Sequence, residues 1–348
     1  MNITFLIGNG FDLNLGLKTS YKDFYKYYTS KVSNDLIADS VKDNYELWAD
    51  LEIGLGEFAK ELDETQVSDF LNSKAKLENC LCEYLKKEMD KFRITNTQEL
   101  ITEFTKKITG FYKELNLRER NNYKSYIESY IESINYTFIS FNYTDSLDRI
   151  INKLGETKSS FSVHTARNNN IKDKISTPLH IHGTVDSELI LGLDDATQVK
   201  NDKLKDNFAL IPYIVKPTLN EELGQLKIEQ AKQIIDNSRY VCIFGMSIGD
   251  TDNLWWRYII EWLKRDKQNR LILYVYDGTI VQASGQEKLR LANKNRNRFI
   301  KKNKKLPESE KSELMKQISF IQNSDVFCFK SIKIERYKNE QDENAEQG

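Results

Sequence analysis

Short apolar runs and longer stretches of helical periodicity alternate along the chain. Runs of five or six largely apolar residues, bounded by glycine or polar residues, predict buried β-strands, and four are clear: residues 3–7, 136–141, 240–244 and 271–276. Weaker strand candidates are residues 160–164, 179–181, 189–191 and 326–329.

Between the strands, apolar residues recur every three or four positions, which predicts amphipathic helices. Thr19 and Ser20 offer an N-cap to an early helix. Residues 31–134 form the longest region with this periodicity, and they contain no proline. Further helices are predicted at residues 144–154, 221–236 and 252–264.

Strands that alternate with helices at this spacing predict an α/β fold: a doubly wound, mostly parallel sheet of the Rossmann-like type. We expect residues 1–30 and 135–337 to form this nucleotide-binding domain, and residues 31–134 to be a large all-α insertion. Residues 338–348 lack large apolar side chains and are expected to form a disordered tail.

Composition narrows the class of protein. The 348 residues include 51 Lys and Arg against 52 Asp and Glu, a formal net charge of -1, which excludes a uniformly basic nucleic-acid-binding protein. The apolar runs are too short to span a membrane and the N-terminus has no signal-peptide pattern, so we expect a soluble, cytoplasmic protein. The four cysteines include no C-x-x-C pair, which excludes a zinc ribbon and favours free thiols.

Four polar segments follow predicted strands: residues 8–12, 142–145, 180–184 and 245–252. In an open parallel sheet ligands bind outside the carboxyl ends of the strands, so we expect these segments to share one crevice. Gly8, Asn9 and Gly10 suit a tight turn that approaches a phosphate, although Leu13 replaces the third glycine of a dinucleotide motif. Asp12 is either an anion-site neighbour or, as we favour, a helix cap.

The other three segments have alternative interpretations. Asn142 and Asp145 are candidate site residues, but helix capping also explains either one. Gly245, Ser247 and Asp250 fit a ribose site or, equally well, a glycine turn with a capped helix. In the segment at residues 180–184, His180 and His182 alternate along a predicted strand. This spacing is compatible with a pair of metal ligands, or with one catalytic base and one packed histidine.

In this order the motifs resemble those of the AbiH family of phage abortive-infection proteins, over nearly the whole chain up to about residue 280. The segments that carry the resemblance are Ile7-Gly8-Asn9-Gly10-Phe11-Asp12, Trp48-Ala49-Asp50-Leu51-Glu52, Phe141-Asn142-Tyr143-Thr144-Asp145, Ile181-His182-Gly183-Thr184 and Phe244-Gly245-Met246-Ser247-Ile248-Gly249-Asp250. A more distant similarity links the sheet segments to sirtuin-like NAD-binding domains of antiphage enzymes.

The sirtuin-like resemblance implies NAD as substrate and no metal. It implies that Gly8 and Gly10 hold the pyrophosphate, that Asn142 contacts the nicotinamide ribose, and that His182 acts on a ribose hydroxyl or on water. Gly245 and Ser247 would border the adenosine ribose. Three features depart from sirtuins: the acid near Asn142 is Asp145, one position later than expected, the zinc ribbon is missing, and the opening at residues 8–12 is more acidic.

The predicted reaction is hydrolysis of NAD to nicotinamide and ADP-ribose. Cleavage of the nicotinamide–ribose bond passes through a cationic state, so the enzyme must hold the ribose and admit a water molecule. Asn142 can orient either one without adding charge, and a neutral His182 can take the proton. Asp145 or Asp250 can favour the developing positive charge.

Two competing hypotheses remain open. The first is a metal-dependent nuclease with Asp12, Glu52, His182 and Asp250 as ligands; nucleic acid would bind only through an acid-free basic stretch, comprising Lys288, Arg290, Lys294, Arg296, Arg298, Lys301, Lys302, Lys304 and Lys305. The second is a non-enzymatic nucleotide sensor or a scaffold for a phage protein. For the enzyme, we expect latent activity and a phage-encoded activator or self-assembly as the trigger.

Overall fold

The computed structural model describes residues 1–130, 132–156, 172–276 and 284–336. The predicted strand at residues 160–164 and the predicted tail at residues 338–348 lie outside the described residues. The strands are β1 (Asn2–Ile7), β2 (Phe92–Ile94), β3 (Asn135–Ser140), β4 (Lys174–Ile175), β5 (Leu179–His180), β6 (Ser238–Phe244), β7 (Arg270–Val275), β8 (Ile318–Gln322) and β9 (Ile332–Ile334).

The helices alternate with these strands, as the sequence periodicity predicts. They are α1 (Gly10–Leu15), α2 (Tyr21–Lys31), α3 (Leu36–Asp43), α4 (Leu51–Phe58), α5 (Val67–Met89), α6 (Thr97–Thr109), α7 (Leu117–Ser129), α8 (Ser146–Glu156), α9 (Ile211–Ile214), α10 (Lys216–Glu222), α11 (Lys227–Asp236), α12 (Asn253–Arg265), α13 (Gly285–Ile300) and α14 (Glu308–Met315). The Ser20 hydroxyl caps α2 by accepting from the backbone N–H of Asp23, as predicted.

Seven strands form one sheet in the order β4-β3-β1-β6-β7-β8, with β5 also paired to β3, and each of these pairs is parallel. If β4 and β5 are counted as one position, the order of the sheet strands along the chain is 3-2-1-4-5-6, the order of doubly wound dinucleotide-binding folds. The predicted α/β fold is confirmed. The strand order reverses between β1 and β6, and this switch point is where such folds bind their ligands.

Helices cover both faces of the sheet because successive strand residues point to opposite faces. On one face, Phe5 and Phe138 pack with Phe104 of α6 and Phe111. On the other face, Leu6, Ile139 and Val241 pack with residues of α11 and α12. A third apolar cluster joins α2–α5 to the loop residues 185–215. The predicted insertion therefore contributes to the core of the sheet and to a cluster that it shares with residues 185–215.

Several details of the predicted elements are wrong. Residues 31–134 are not all helical, because they contain β2, which pairs with β9. Residues 189–191 and 326–329 are not strands, although Ile190, Leu191 and Phe327 are fully buried. The last sheet strand is β8, which the sequence analysis missed. Residues 221–236 form parts of two helices rather than one, because the chain turns at Gly224, which has a φ of +63°. No helix among the described residues is long and apolar enough to cross a membrane.

Candidate functional site

The four polar segments predicted to share a crevice lie at the same edge of the sheet. They follow, or in the case of His180 end, strands β1, β3, β5 and β6, which are neighbours in the order β5-β3-β1-β6. All these strands are parallel, so their carboxyl ends point the same way. The segments nevertheless line different cavities.

The glycines after β1 and β6 pack against one another. A Cβ atom on Gly10 would lie 2.5 Å from the Cα of Gly245, and one on Gly245 would lie 2.6 Å from the backbone nitrogen of Phe11. Gly245 also has a φ of +70°, which side chains other than glycine rarely adopt. The backbone N–H groups of Gly8 and Gly10 donate to the carbonyls of Phe244 and Gly245, at 2.9 and 2.8 Å. These two donors are therefore already used within the protein.

A large cavity of about 650 Å³ opens beside this glycine contact, at the carboxyl ends of β6 and β7. Its volume is in the usual range for a small-molecule site. Its lining combines apolar and polar groups: Gly10, Leu13, Asn14, Phe244, Gly245, Met246, Ser247, Ile248, Tyr274, Val275, Tyr276, Asn295, Arg298, Asn323 and Ser324. Of the predicted site residues, Gly10, Gly245 and Ser247 line this cavity.

A smaller cavity of about 100 Å³ lies on the other side of the β1 turn. Asn9, Asp12 and Asn142 line it, together with Thr19, Tyr21, Leu81, Leu85, Phe141, Tyr143 and Thr144. The Asn9 amide is fixed by two hydrogen bonds to Thr19, because its Nδ2 donates to the Thr19 carbonyl and its Oδ1 accepts from the Thr19 hydroxyl. The turn thus presents Gly10 to the large cavity and Asn9 to the small one.

Asp12 is a buried carboxylate rather than the helix cap that the sequence favours. The N-cap of α1 is Asn9, and the Asp12 carboxylate accepts hydrogen bonds from the hydroxyls of Thr144 and Ser146. It thereby joins the β1–α1 turn to the β3–α8 turn. Burial raises the pKa of Asp12 to about 6, although these hydrogen bonds oppose the rise.

Asn142 has an unused acceptor at the small cavity. Its side chain is 6% exposed, and its Oδ1 atom has no hydrogen-bond partner among the described residues. An amide oxygen that is buried without a partner costs free energy, so such atoms require an explanation. A ligand or water donor in the cavity would supply the missing bond.

His180, not His182, supports Asn142. The His180 Nδ1 atom lies 3.0 Å from the backbone carbonyl oxygen of Asn142, and its Nε2 atom lies 2.7 Å from the Asp148 carboxylate. Both ring nitrogens face acceptors, so only the protonated ring donates to both. Burial lowers the pKa of His180, but the hydrogen bond and charge of Asp148 outweigh it and the pKa is raised overall.

His182 lies outside the Asn142 cavity. Its ring packs edge-on against Phe141, at 5.5 Å between ring centroids, and against Tyr143 at 6.3 Å, and these two side chains form part of the cavity wall. Its other neighbours include Asp194 and Lys216. Burial, followed by the charge of Lys216, lowers the pKa of His182 well below its ordinary value, so the ring is neutral at pH 7.

A buried group of charges adjoins His182 and was not predicted as a group. The Lys216 ammonium lies 2.9 Å from the Glu52 carboxylate and 3.8 Å from that of Asp252, and it donates to the Thr251 carbonyl at 2.9 Å. Burial raises the pKa values of Glu52, Asp252 and Asp194, that of Asp194 to about 6, although the charge of Lys216 opposes each rise. The three nearby carboxylates keep the pKa of Lys216 above its ordinary value despite its burial, so Lys216 is charged.

The remaining predicted acids, Asp145 and Asp250, are each paired with a basic side chain. Asp250 is paired with Lys302 at 2.7 Å and its side chain is 71% exposed. Asp145 directly precedes α8 and pairs with Arg149 at 3.0 Å, while its Oδ1 atom is buried without a partner among the described residues. No three His, Cys, Asp or Glu side chains in the described part of the chain are arranged to hold a metal ion. The structure therefore does not bring together the nuclease ligand set of Asp12, Glu52, His182 and Asp250.

Several site residues carry little signal in the sequence. Thr144 and Ser146 contact Asp12 across the gap between two strand ends, and Arg298 reaches the large cavity from a helix far along the chain. One feature of the sequence indicates that Lys216 is buried: it directly follows the apolar segment at residues 211–215. A long charged side chain in such a setting is buried only when it is paired.

Comparison with known proteins identifies the family. A model of the family described as bacteriophage abortive infection AbiH matches residues 4–276, a range that includes the strand-end segments and the Glu52 motif. No curated protein gives a significant match to the chain. The chain therefore belongs to the AbiH family of bacteriophage abortive-infection proteins, and its role is in abortive infection.

Proposed function

We propose that this protein is an abortive-infection effector that binds NAD at the switch point of its sheet and hydrolyses the nicotinamide–ribose bond. The observation that carries the proposal is the 650 Å³ cavity at the carboxyl edge, beside the β1–β6 contact, in a sheet with the strand order of dinucleotide-binding folds. The polar and apolar lining suits a ligand with a base, sugars and phosphates.

The two cavities suit the two halves of a dinucleotide. Asn9 lines the small cavity and Gly10 the large one, so a ligand that crosses this turn reaches both. We assign the adenosine half to the large cavity and the nicotinamide ribose to the side of Asn142. The small cavity of about 100 Å³ is too small for that ribose and its base. The wall formed by Leu81 and Leu85 of α5 must move outward before the substrate binds, which agrees with a latent enzyme.

The proposed reaction needs no group beyond this chain, NAD and water. The bond between ribose C1′ and the nicotinamide nitrogen breaks, and its electron pair leaves with neutral nicotinamide. A water oxygen bonds to C1′ and releases one proton, which the Asp12 carboxylate accepts. Asn142 Oδ1 accepts from a ribose hydroxyl or from the water, and the Asp12 carboxylate lies beside it to favour the cationic state. In this proposal Asp12 replaces His182 as the proton acceptor, since His182 packs behind Phe141 and Tyr143. Asp12 also replaces Asp145 or Asp250 as the acid beside the developing positive charge.

The test is NAD content and nicotinamide release in phage-challenged cells that express the wild type, Asn142→Ala or Asn237→Ala. Asn237 is the control because it is exposed and, among the described residues, its side chain bonds only to the Gln233 carbonyl of α11. We expect Asn142→Ala to reduce nicotinamide release by about 100-fold or more, as the loss of one transition-state contact does. The Asn237→Ala protein should match the wild type. Abortive infection with intact NAD would refute the proposal, and degraded RNA in those cells would favour the nuclease hypothesis.

A further inference from the structure

The glycine turn after β1 is poorly suited to hold the phosphates of a nucleotide. Phosphate loops bind anions with free backbone N–H groups. Here the N–H groups of Gly8 and Gly10 donate to Phe244 and Gly245, and the Gly245 backbone covers the turn in direct contact. Helix α1 has only six residues and adds little dipole. The phosphates of a ligand in the large cavity need another partner.

Arg298 has the position and the charge to bind the phosphates of a ligand in the large cavity. It lies on α13, and it is the one cationic side chain among the described residues that line the large cavity; no acidic side chain is found among them. Within the described ranges it makes no ion pair or hydrogen bond, whereas Arg296 donates to the Ile318 carbonyl and Lys302 pairs with Asp250. An exposed arginine beside a polar cavity, with its donors unused, is matched to phosphate oxygens, which accept two parallel N–H bonds.

We infer that Arg298 is the phosphate-binding residue of the large cavity and that the ligand there is a phosphorylated nucleoside. Asn295 lies one helical turn before Arg298 and lines the same cavity, so its amide lies on the same side of the ligand. The base would occupy the apolar part of the cavity beside Leu13 and Tyr276, which are 45% and 86% exposed. This inference rests on the proposed function only for the identity of the nucleotide. Arg298 lies outside the range that the family model matches.

The experiment is isothermal titration calorimetry with ADP-ribose, NADP and adenosine on the wild type, Arg298→Ala, Arg298→Lys and Arg290→Ala. Arg290 is the control because it is an exposed arginine on the same helix that does not line the cavity. We expect Arg298→Ala to weaken ADP-ribose binding by 10-fold to 100-fold and to leave adenosine binding unchanged. Arg298→Lys should be intermediate, and Arg290→Ala should match the wild type. A larger loss for NADP than for ADP-ribose would assign the contact to the 2′-phosphate rather than the pyrophosphate.

The outcomes separate this inference from the proposed function. ADP-ribose binding that depends on Arg298, without NAD turnover in infected cells, supports the inference and refutes the hydrolase. NAD turnover with equal ADP-ribose affinity in the wild type and Arg298→Ala supports the hydrolase and overturns the inference. A wild type that binds none of the phosphorylated ligands overturns the inference as well. Matching circular dichroism spectra of the four proteins exclude misfolding as the cause of a lost affinity.

Discussion

Asp12 is the residue whose chemistry most affects both stability and the site. Its pKa in the folded protein, about 6, lies above the ordinary 3.8 because the carboxyl is buried. Between about pH 4 and pH 6 the folded protein therefore keeps a proton on Asp12 that the unfolded chain has released. The stabilisation from this proton is fully present below about pH 4 and is lost as the pH rises through about 6.

We predict that this loss disappears in Asp12→Asn. Two pKa units correspond to about 3 kcal/mol, so the free energy of unfolding of the wild type should fall by about that much more than that of Asp12→Asn between about pH 4 and pH 7. Urea unfolding followed by circular dichroism at several pH values measures the difference. Asp69→Asn, at an exposed position on α5, is the control and should follow the wild type. A difference between the wild type and Asp12→Asn that is constant with pH would contradict the burial argument.

The positions of the candidate site residues at strand ends could be predicted from the sequence, whereas their hydrogen-bond partners could not. The positions of Asn142, Gly245 and Ser247 at strand ends follow from local pattern, since a buried strand and a polar turn are both visible in a short window. The hydrogen bonds of Asp12 to Thr144 and Ser146 join segments more than 130 positions apart, and no pattern in either segment encodes the other. Which of the two histidines lies at Asn142 could not be predicted for the same reason, because the contact of His180 with Asp148 holds that ring there.

At the scale of elements, the turn after β1 packs directly against the turn after β6 and holds the ends of these two strands together at the switch point. We predict that Gly245→Ala destabilises the protein by about 3 kcal/mol, since the new Cβ would meet Phe11 and the residue has a left-handed backbone. Gly224→Ala separates the two causes: Gly224 has a φ of +63° but no atom within 4 Å of its added Cβ, so it should cost only about 1 kcal/mol. Equal losses in urea unfolding would show that the loop contact does not contribute.

The elements that the sequence analysis misassigned show the limit of apolar pattern. Residues 326–329 are as apolar as a strand, yet Phe327 lies in a turn and packs on Phe5, Phe11 and Phe244, at 5.9, 5.2 and 4.7 Å between ring centroids. An apolar run indicates that its residues are buried, but a buried segment need not pair with a strand. The true edge strand β8 is interrupted by Ser319 between Ile318 and Phe320 and ends at Gln322, so its apolar signal is weaker. Its pairing with β7 depends on the rest of the sheet.

At the scale of the whole molecule, residues 31–134 are connected to the sheet in more than one place. Phe104 and Phe111 complete the core on one face, and β2 pairs antiparallel with β9 near the end of the described chain. Helices α2–α5 instead share a cluster with residues 185–215. The prediction that residues 31–134 form a domain of their own is open to a direct unfolding experiment, because the four tryptophans are unevenly placed: Trp48 precedes α4, and Trp255, Trp256 and Trp262 lie on α12.

We expect one cooperative transition for the sheet and for the helices that cover its two faces. Phe111 packs on Phe5 and Tyr240, at 6.1 and 5.7 Å between ring centroids, so Phe111→Ala should destabilise the protein by about 4 kcal/mol. In a Trp48→Phe background all tryptophan fluorescence comes from α12, on the opposite face of the sheet. Phe111→Ala should shift the fluorescence and circular dichroism transitions by the same amount, whereas Leu117→Ala, at a side chain 70% exposed, should shift neither. An α12 transition that stays in place while part of the helical signal is lost would establish residues 31–134 as an independent domain.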